Sequence, residues 1–154
     1  MTTTLLEPSA VVRVCVFMLA GQVFALDVRR VREVAVFEEW TPVPLAPPHL
    51  LGLANLHGAV IPIVDARPAL GLPPRRTERR VRTLLVTADG LQAALVIDGV
   101  TSLEAFTEVL EATDTPHAAW AVGLLGDNDR LIPLLDASKL LQAMRPGPRS
   151  GAVA

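Results

Sequence analysis

Cysteine occurs once in these 154 residues, tyrosine not at all, and aromatic residues supply only 4% of the chain. One cysteine, Cys15, excludes an intrachain disulfide framework and any CxxC metal or redox site. It lies in VVRVCVFML, where period-2 burial makes it a small apolar core residue. No cation or histidine adjoins it in sequence to favour the thiolate. With few rings available, the core must be built from Val, Leu, Ile and Ala. The three histidines, His49, His57 and His117, show no HExxH spacing. A Gly-rich phosphate loop and a GxSxG elbow are also missing. No apolar run approaches the roughly 20 residues of a membrane span. The opening MTTTLLEPSAVVR lacks the basic and long apolar regions of a secretory signal. These absences imply a cytoplasmic protein with no membrane insertion, no catalytic constellation, no metal and no cofactor.

The formal charge of −2 gives no overall field favouring nucleic acid or an anionic membrane. The charge is uneven, however. Arg75, Arg76, Arg79, Arg80 and Arg82 cluster mid-chain, while residues 98–136 hold eight acids against Arg130. The arginine cluster reads first as a solvated linker and second as a docking patch for an acidic partner. It has no interleaved aromatics for stacking bases, so nucleic acid is not an expected partner.

Along the chain, residues 11–19 read as a strand, Ala20-Gly21-Gln22 as a turn and 23–28 as its hairpin partner. Val28, Val31, Val34 and Ala35 fall near helical spacing, which predicts a short helix or helical turn. A second hairpin, from Leu53 to Val64, turns at His57-Gly58, with Pro62 implying an edge or bulged position. Gly71-Leu72-Pro73-Pro74 marks an internal boundary. Residues 81–87 and 91–97 flank Asp89-Gly90, a strong hairpin signal. Residues 104–110 read as a short helix or irregular segment. Residues 119–125 and 130–135 flank a turn at 126–129, and Asp136 is placed to cap a last helix over 136–143, with Lys139 and Arg145 toward its end. Tails at 1–9 and 146–154 read as flexible. The count is about eight short strands in two groups, with no βαβ alternation and no convincing repeat between the groups. Each half is small for an independent core, so the halves are expected to pack together. Asp65 and Asp98 each follow an apolar strand. Paired carboxylates for acid–base work are conceivable, but strand-end caps are the simpler account.

The segment 47–67, PPHLLGLANLHGAVIPIVDAR, carries the most specific pattern. Pro48, Gly52, Asn55, Leu56, Gly58, Pro62, Ile63, Asp65 and Arg67 together resemble the signature of the CheW-like domain, the bacterial chemotaxis coupling family. FMLAGQVFALD, Val31-Arg32-Glu33-Val34, residues 95–100 and residues 123–141 resemble further elements of that family in order. The resemblance implies a mainly β fold: two SH3-like five-stranded β-barrel subdomains sharing a core, with short helices including one at the C-terminus. It implies one domain over 11–143, with subdomains at 11–71 and 81–135. It also implies a non-enzymatic adaptor between the cytoplasmic tip of a chemoreceptor (a methyl-accepting chemotaxis protein) and the regulatory domain of a CheA-type histidine kinase. Partner contacts carried over by resemblance are Val31, Glu33, Gly52, Asn55 and His57, with Asp98, Gly99 and Val100 bordering the same groove. Two departures stand out. His57 replaces the family's usual arginine, and the segment between Val100 and Gly123 is short. Histidine is shorter, mostly neutral at pH 7 and unable to form a bidentate fork with a carboxylate. The variant reading is an accessory protein that binds receptor but couples poorly to the kinase.

Overall fold

The computed structural model describes residues 3–5, 11–112, 117–127 and 130–144. Three hairpins turn on adjacent residues with positive φ: Ala20-Gly21, His57-Gly58 and Asp89-Gly90. Two left-handed residues in succession twist with the flanking strands, and a glycine in second place removes most of the strain. β1 spans Thr3–Leu5. The first hairpin joins β2 (Val12–Leu19) to β3 (Gln22–Asp27). A 3-10 turn, Val28–Arg30, then leads into β4 (Val31–Phe37) and the short β5 (Thr41–Pro42). The second hairpin joins β6 (Leu50–Leu56) to β7 (Ala59–Val64), followed by a single helical turn, α1 (Arg67–Leu70). The third joins β8 (Val81–Ala88) to β9 (Leu91–Val96). β10 (Gly99–Phe106), β11 (Glu108–Leu110), β12 (Ala121–Asp127), β13 (Arg130–Leu135) and α2 (Ala137–Met144) complete the chain.

The molecule is mainly β, as expected, with two sheets. The larger has the order β1-β11-β12-β13-β3-β2-β10 and the smaller β4-β8-β9-β7-β6-β5. Among the described residues each sheet holds five longer strands, with the short β1 and β11 extending the larger sheet and the two-residue β5 the smaller. The sheets do not divide at 71–81. The smaller sheet is contiguous over residues 31–96, and the larger is assembled from what lies on either side of it. The first crossing uses the 3-10 turn after Asp27. The second happens within one step: Ile97 N–H donates to Arg82 O in the smaller sheet, and Asp98 N–H donates to Met18 O in the larger.

Read from opposite ends, the sheets match strand for strand: β11-β12-β13-β3-β2-β10 against β5-β6-β7-β9-β8-β4. The parallel contacts also correspond, β13 with β3 and β7 with β9. This exposes a repeat absent from the sequence reading. Ile61-Pro62-Ile63-Val64-Asp65-Ala66 and Ile132-Pro133-Leu134-Leu135-Asp136-Ala137 occupy equivalent places. Each aspartate N–H donates to the residue before the partner strand, Asp65 to His49 O and Asp136 to Trp120 O. Each proline sits just before its strand joins the parallel ladder, at Ile63 and Leu134 respectively. Pro62 is thus locally at an edge although β7 is a central strand.

Three expectations change. Residues 28–35 form a helical turn only at Val28–Arg30; the rest is β4, in which Ala35 and Phe37 are buried while Arg32, Val34 and Val36 are exposed. Period-2 burial against β8 overrides the helical spacing of the valines. Residues 104–110 are strands, because β10 finds an antiparallel partner in β2 with a bulge near Thr101. Within the expected flexible lead, Thr3–Leu5 pairs with Glu108–Leu110. The 146–154 tail, Arg145 and part of the 126–129 turn lie outside the described residues. Asp136 does cap α2, its Oδ1 accepting from Lys139 N–H at 3.1 Å, which puts Lys139 in the first turn of the helix.

Each sheet encloses its own apolar cluster. Ala35, Ala54, Ile63, Leu85 and Val96 fill the smaller, and Val14, Val16, Leu125 and Ile132 the larger. A third cluster lies between them, with Phe17, Phe24, Leu84 and Leu95 at its centre and Leu140, Leu141 and Met144 of α2 closing it. This is the expected shared core. Cys15 is buried in it, and burial pushes its thiol pKa up.

Candidate functional site

β4 supplies the first part of the site. Its register against β8 slips between Val31 and Glu33, so that Val31 faces Val86 and Glu33 faces Leu85. The bulge re-aims the chain locally. Val31 packs against the shared core, while the half-buried Glu33 carboxylate meets His57 Nε2 at 3.3 Å through either oxygen. β4 is an edge strand and β6 lies four places away in the same sheet. The sheet must therefore curl until the β6–β7 turn reaches β4, which is how residues distant in strand order come together.

The turn is built to hold its shape. Asn55 Oδ1 accepts the Gly58 N–H at 3.1 Å, bracing the turn in which His57 and Gly58 have positive φ. His57 stands at the tip with its side chain 72% exposed. In that setting the Glu33–His57 pair contributes well under about 1 kcal/mol to stability. Gly52 does something different. A Cβ there would lie 2.3 Å from Thr41 O and 2.8 Å from the Trp40 ring. Gly52 is buried beneath β5, so its glycine serves close packing of β5 on β6 and it offers no surface.

Asp98, Gly99 and Val100 gather elsewhere, at the crossover into β10. Gly99 and Val100 pair with Met18 and Phe17 of β2. Asp98 Oδ2 accepts the Gly21 N–H at 3.0 Å and its Oδ1 accepts from Arg67 Nη2 at 2.9 Å. Its carbonyl accepts from Arg82 Nη1. Among the described residues no hydrogen bond or ion pair joins this group to Glu33 or His57. The site residues thus fall into two clusters, one on each sheet.

Arg67 is the residue the sequence reading undervalued. It is only 6% exposed, and it donates to Asp65 Oδ1 through both its backbone N–H and Nη1 as well as to Asp98. The signal was its place two residues after Asp65 in the signature segment. The same guanidinium disposes of paired-carboxylate chemistry: Asp65 and Asp98 are bridged by a fixed cation and engaged as structural acceptors. Among the described residues no group of His, Cys, Asp or Glu could hold a metal ion. None of their helices is long and apolar enough to cross a membrane.

The family model described as the CheW-like domain matches residues 13–145. The chain is 31% identical over 128 residues to the chemotaxis protein CheW of Rhizobium meliloti (strain 1021), covering 78% of this chain and 81% of that one. It is 24% identical over 140 residues to the chemotaxis protein CheW of Bacillus subtilis (strain 168), covering 84% and 86%. The crystal structure of the scaffolding protein TtCheW from Thermoanaerobacter tengcongensis superposes with a TM-score of 0.73 at 26% identity, covering 84% of this chain and 86% of that one.

Proposed function

The chain belongs to the CheW-like domain family, a family of chemotaxis scaffold proteins, and on that premise we propose that it is a non-enzymatic adaptor linking the cytoplasmic tip of a chemoreceptor to the regulatory domain of a CheA-type histidine kinase. The observation that carries this reading is the Glu33–His57 contact, which shows β4 and the β6–β7 turn side by side, the two segments in which the resemblance implies receptor contacts. Val31, Glu33, Asn55 and His57 form the proposed face, with Asp98, Gly99 and Val100 at its far border and Gly52 acting only through packing. A receptor tip is a helical hairpin, and a groove with polar anchors and apolar walls suits a helix face. Val100, 41% exposed, and Leu103, 71% exposed, supply apolar surface on β10.

A second reading is favoured by His57 itself. An arginine at this place could fork onto Glu33 with two donors, whereas the imidazole meets it with a single nitrogen, 3.3 Å from either oxygen. The second reading is an accessory protein that binds receptor but engages the kinase weakly and reshapes the array. Titration calorimetry of the purified chain against a receptor tip and, separately, against the kinase regulatory domain tests both. Binding to both supports the coupling adaptor. Receptor binding alone supports the accessory, and binding to neither overturns both.

A further inference from the structure

The arginine cluster does not dangle as a linker. Trp40 Nε1 donates to Arg79 O at 2.7 Å, and Arg79 Nη2 returns a bond to Trp40 O. The Arg79 guanidinium also lies 4.8 Å from the centre of the Trp40 ring. This reciprocal clasp pins the segment between α1 and β8 to the link between β4 and β5, and Arg75 Nη2 donates to Glu78 O within the segment. A groove of about 730 Å³ results, lined by Arg67, Arg75, Arg76, Arg79, Arg80 and Arg82, with Val36 and Val96 among its apolar residues.

The charges in this groove are unbalanced. Arg67 is paired with Asp65 and Asp98, and Arg80 lies 3.6 Å from Glu38. Arg75, Arg76, Arg79 and Arg82 have no carboxylate partner among the described residues. Glu78 and Asp98 are the only carboxylates in the lining, and both Asp98 oxygens are engaged by Gly21 and Arg67. Six guanidinium groups against the two carboxylates of Glu78 and Asp98 around one concave surface, in a chain of net charge −2, make a local field opposite to that of the whole molecule. Planar guanidinium donors favour carboxylates held bidentately. The one ring at the margin, Trp40, already has Arg79 against it, so nucleic-acid bases find no stacking platform.

From this geometry we infer that the groove between residues 73–82 and the β8–β9 end of the smaller sheet is a docking site for an acidic, glutamate- or aspartate-rich peptide segment of a partner protein. The inference stands apart from the adaptor reading: of the residues proposed there, only Asp98 lines this groove.

The test is fluorescence anisotropy of a labelled peptide of alternating glutamate and glycine against the full chain. A lysine–glycine peptide and a single-stranded RNA oligonucleotide serve as comparators. Saturable binding of the acidic peptide that weakens with salt is expected. The Arg75→Glu/Arg76→Glu variant should weaken it by about tenfold or more, with little change in thermal midpoint, because neither side chain meets a carboxylate and the Arg75 bond to Glu78 O is exposed. Arg13→Glu/Arg30→Glu, which changes net charge equally, should leave binding within about twofold. Absence of saturable binding overturns the proposal. So does an equal loss in the two variants, or tighter binding of the RNA. Receptor-tip affinity of the Arg75→Glu/Arg76→Glu variant separates this site from the adaptor face, and it should match wild type.

Discussion

Arg67 Nη2 lies 2.9 Å from Asp98 Oδ1, so a nearly buried guanidinium in α1, behind the smaller sheet, grips the residue at which the chain crosses into the larger one. Asp98 in turn accepts from Gly21 in the first hairpin turn. This single polar link ties the crossover, one hairpin tip and the signature segment into one unit.

Replacing Arg67 with methionine keeps much of the volume but leaves the buried Asp65 without its cation. Loss of about 3 kcal/mol or more is expected, as for other broken buried pairs. Asp98→Asn, at a side chain 39% exposed, should cost only about 1 kcal/mol, because the amide oxygen still accepts one bond. Urea denaturation of both variants checks this; an Arg67→Met midpoint equal to wild type would contradict the hub.

Gly52 and Gly58 should fail for different reasons. Gly58 has φ +85° and open space around its Cα, so Gly58→Val costs only backbone strain, roughly 1–2 kcal/mol. Gly52→Ala drives a methyl into the Thr41 carbonyl, and displacing β5 should cost about 3 kcal/mol. If thermal melts reverse this order, the close approach of β5 is not what Gly52 provides.

At position 57, an arginine should grip Glu33 through two donors where histidine offers one. His57→Arg is expected to tighten receptor-tip binding by roughly threefold to tenfold, and the gain should vanish in a Glu33→Gln background. Unchanged affinity for both receptor and kinase would remove His57 from the functional argument.

The hydrogen bond from Arg29 holds the Asp27 carboxyl below the usual carboxylate range, with partial burial opposing. A depressed folded-state pKa stabilises above the unfolded value, near pH 4, and the contribution is lost as pH falls through the folded value. Asp27→Asn keeps an oxygen to cap the 3-10 turn and loses only the carboxylate charge, so it should cost on the order of 1 kcal/mol or less at pH 7. The gap from wild type should narrow as pH falls below the unfolded value and close once pH is below the folded one. A gap independent of pH would show that the carboxylate charge is not what matters.

Cys15 should resist alkylation in the native protein, since burial removes both access and thiolate. Its modification rate should follow unfolding across a urea series. Rapid labelling without denaturant would place the thiol at the surface.

Much of this architecture is legible in local chemistry. Ala20-Gly21, His57-Gly58 and Asp89-Gly90 each announce a two-residue turn, because glycine in second place is the cheapest way to hold positive φ. Alternating apolar residues locate β2, β3, β8 and β9, and Asp136 announces α2. The signature segment, 47–67, pointed to the family before any fold was known. His57-Gly58 was read as a turn and forms one, whereas Gly52, given by resemblance as a partner contact, is buried under β5. The repeat around Pro62 and Pro133 escaped notice because six residues of shared pattern are faint without their equivalent hydrogen bonds.

The remainder was set by tertiary structure. A period-2 pattern says which face of a strand is buried but not which strand lies beside it, since backbone donors and acceptors are the same in every strand. That β4 joins β8 and β10 joins β2, and so that the halves exchange strands, follows from covering both faces of β2–β3 and β8–β9 at once. Only when that exchange is made do Glu33 and His57 meet, Arg67 reach Asp98, and the arginines after α1 close around a groove. The sequence by itself determined the turns, the strands flanking them and the family. Long-range burial decided neighbours, because a contact between residues far apart in the chain leaves no mark on the local pattern of either.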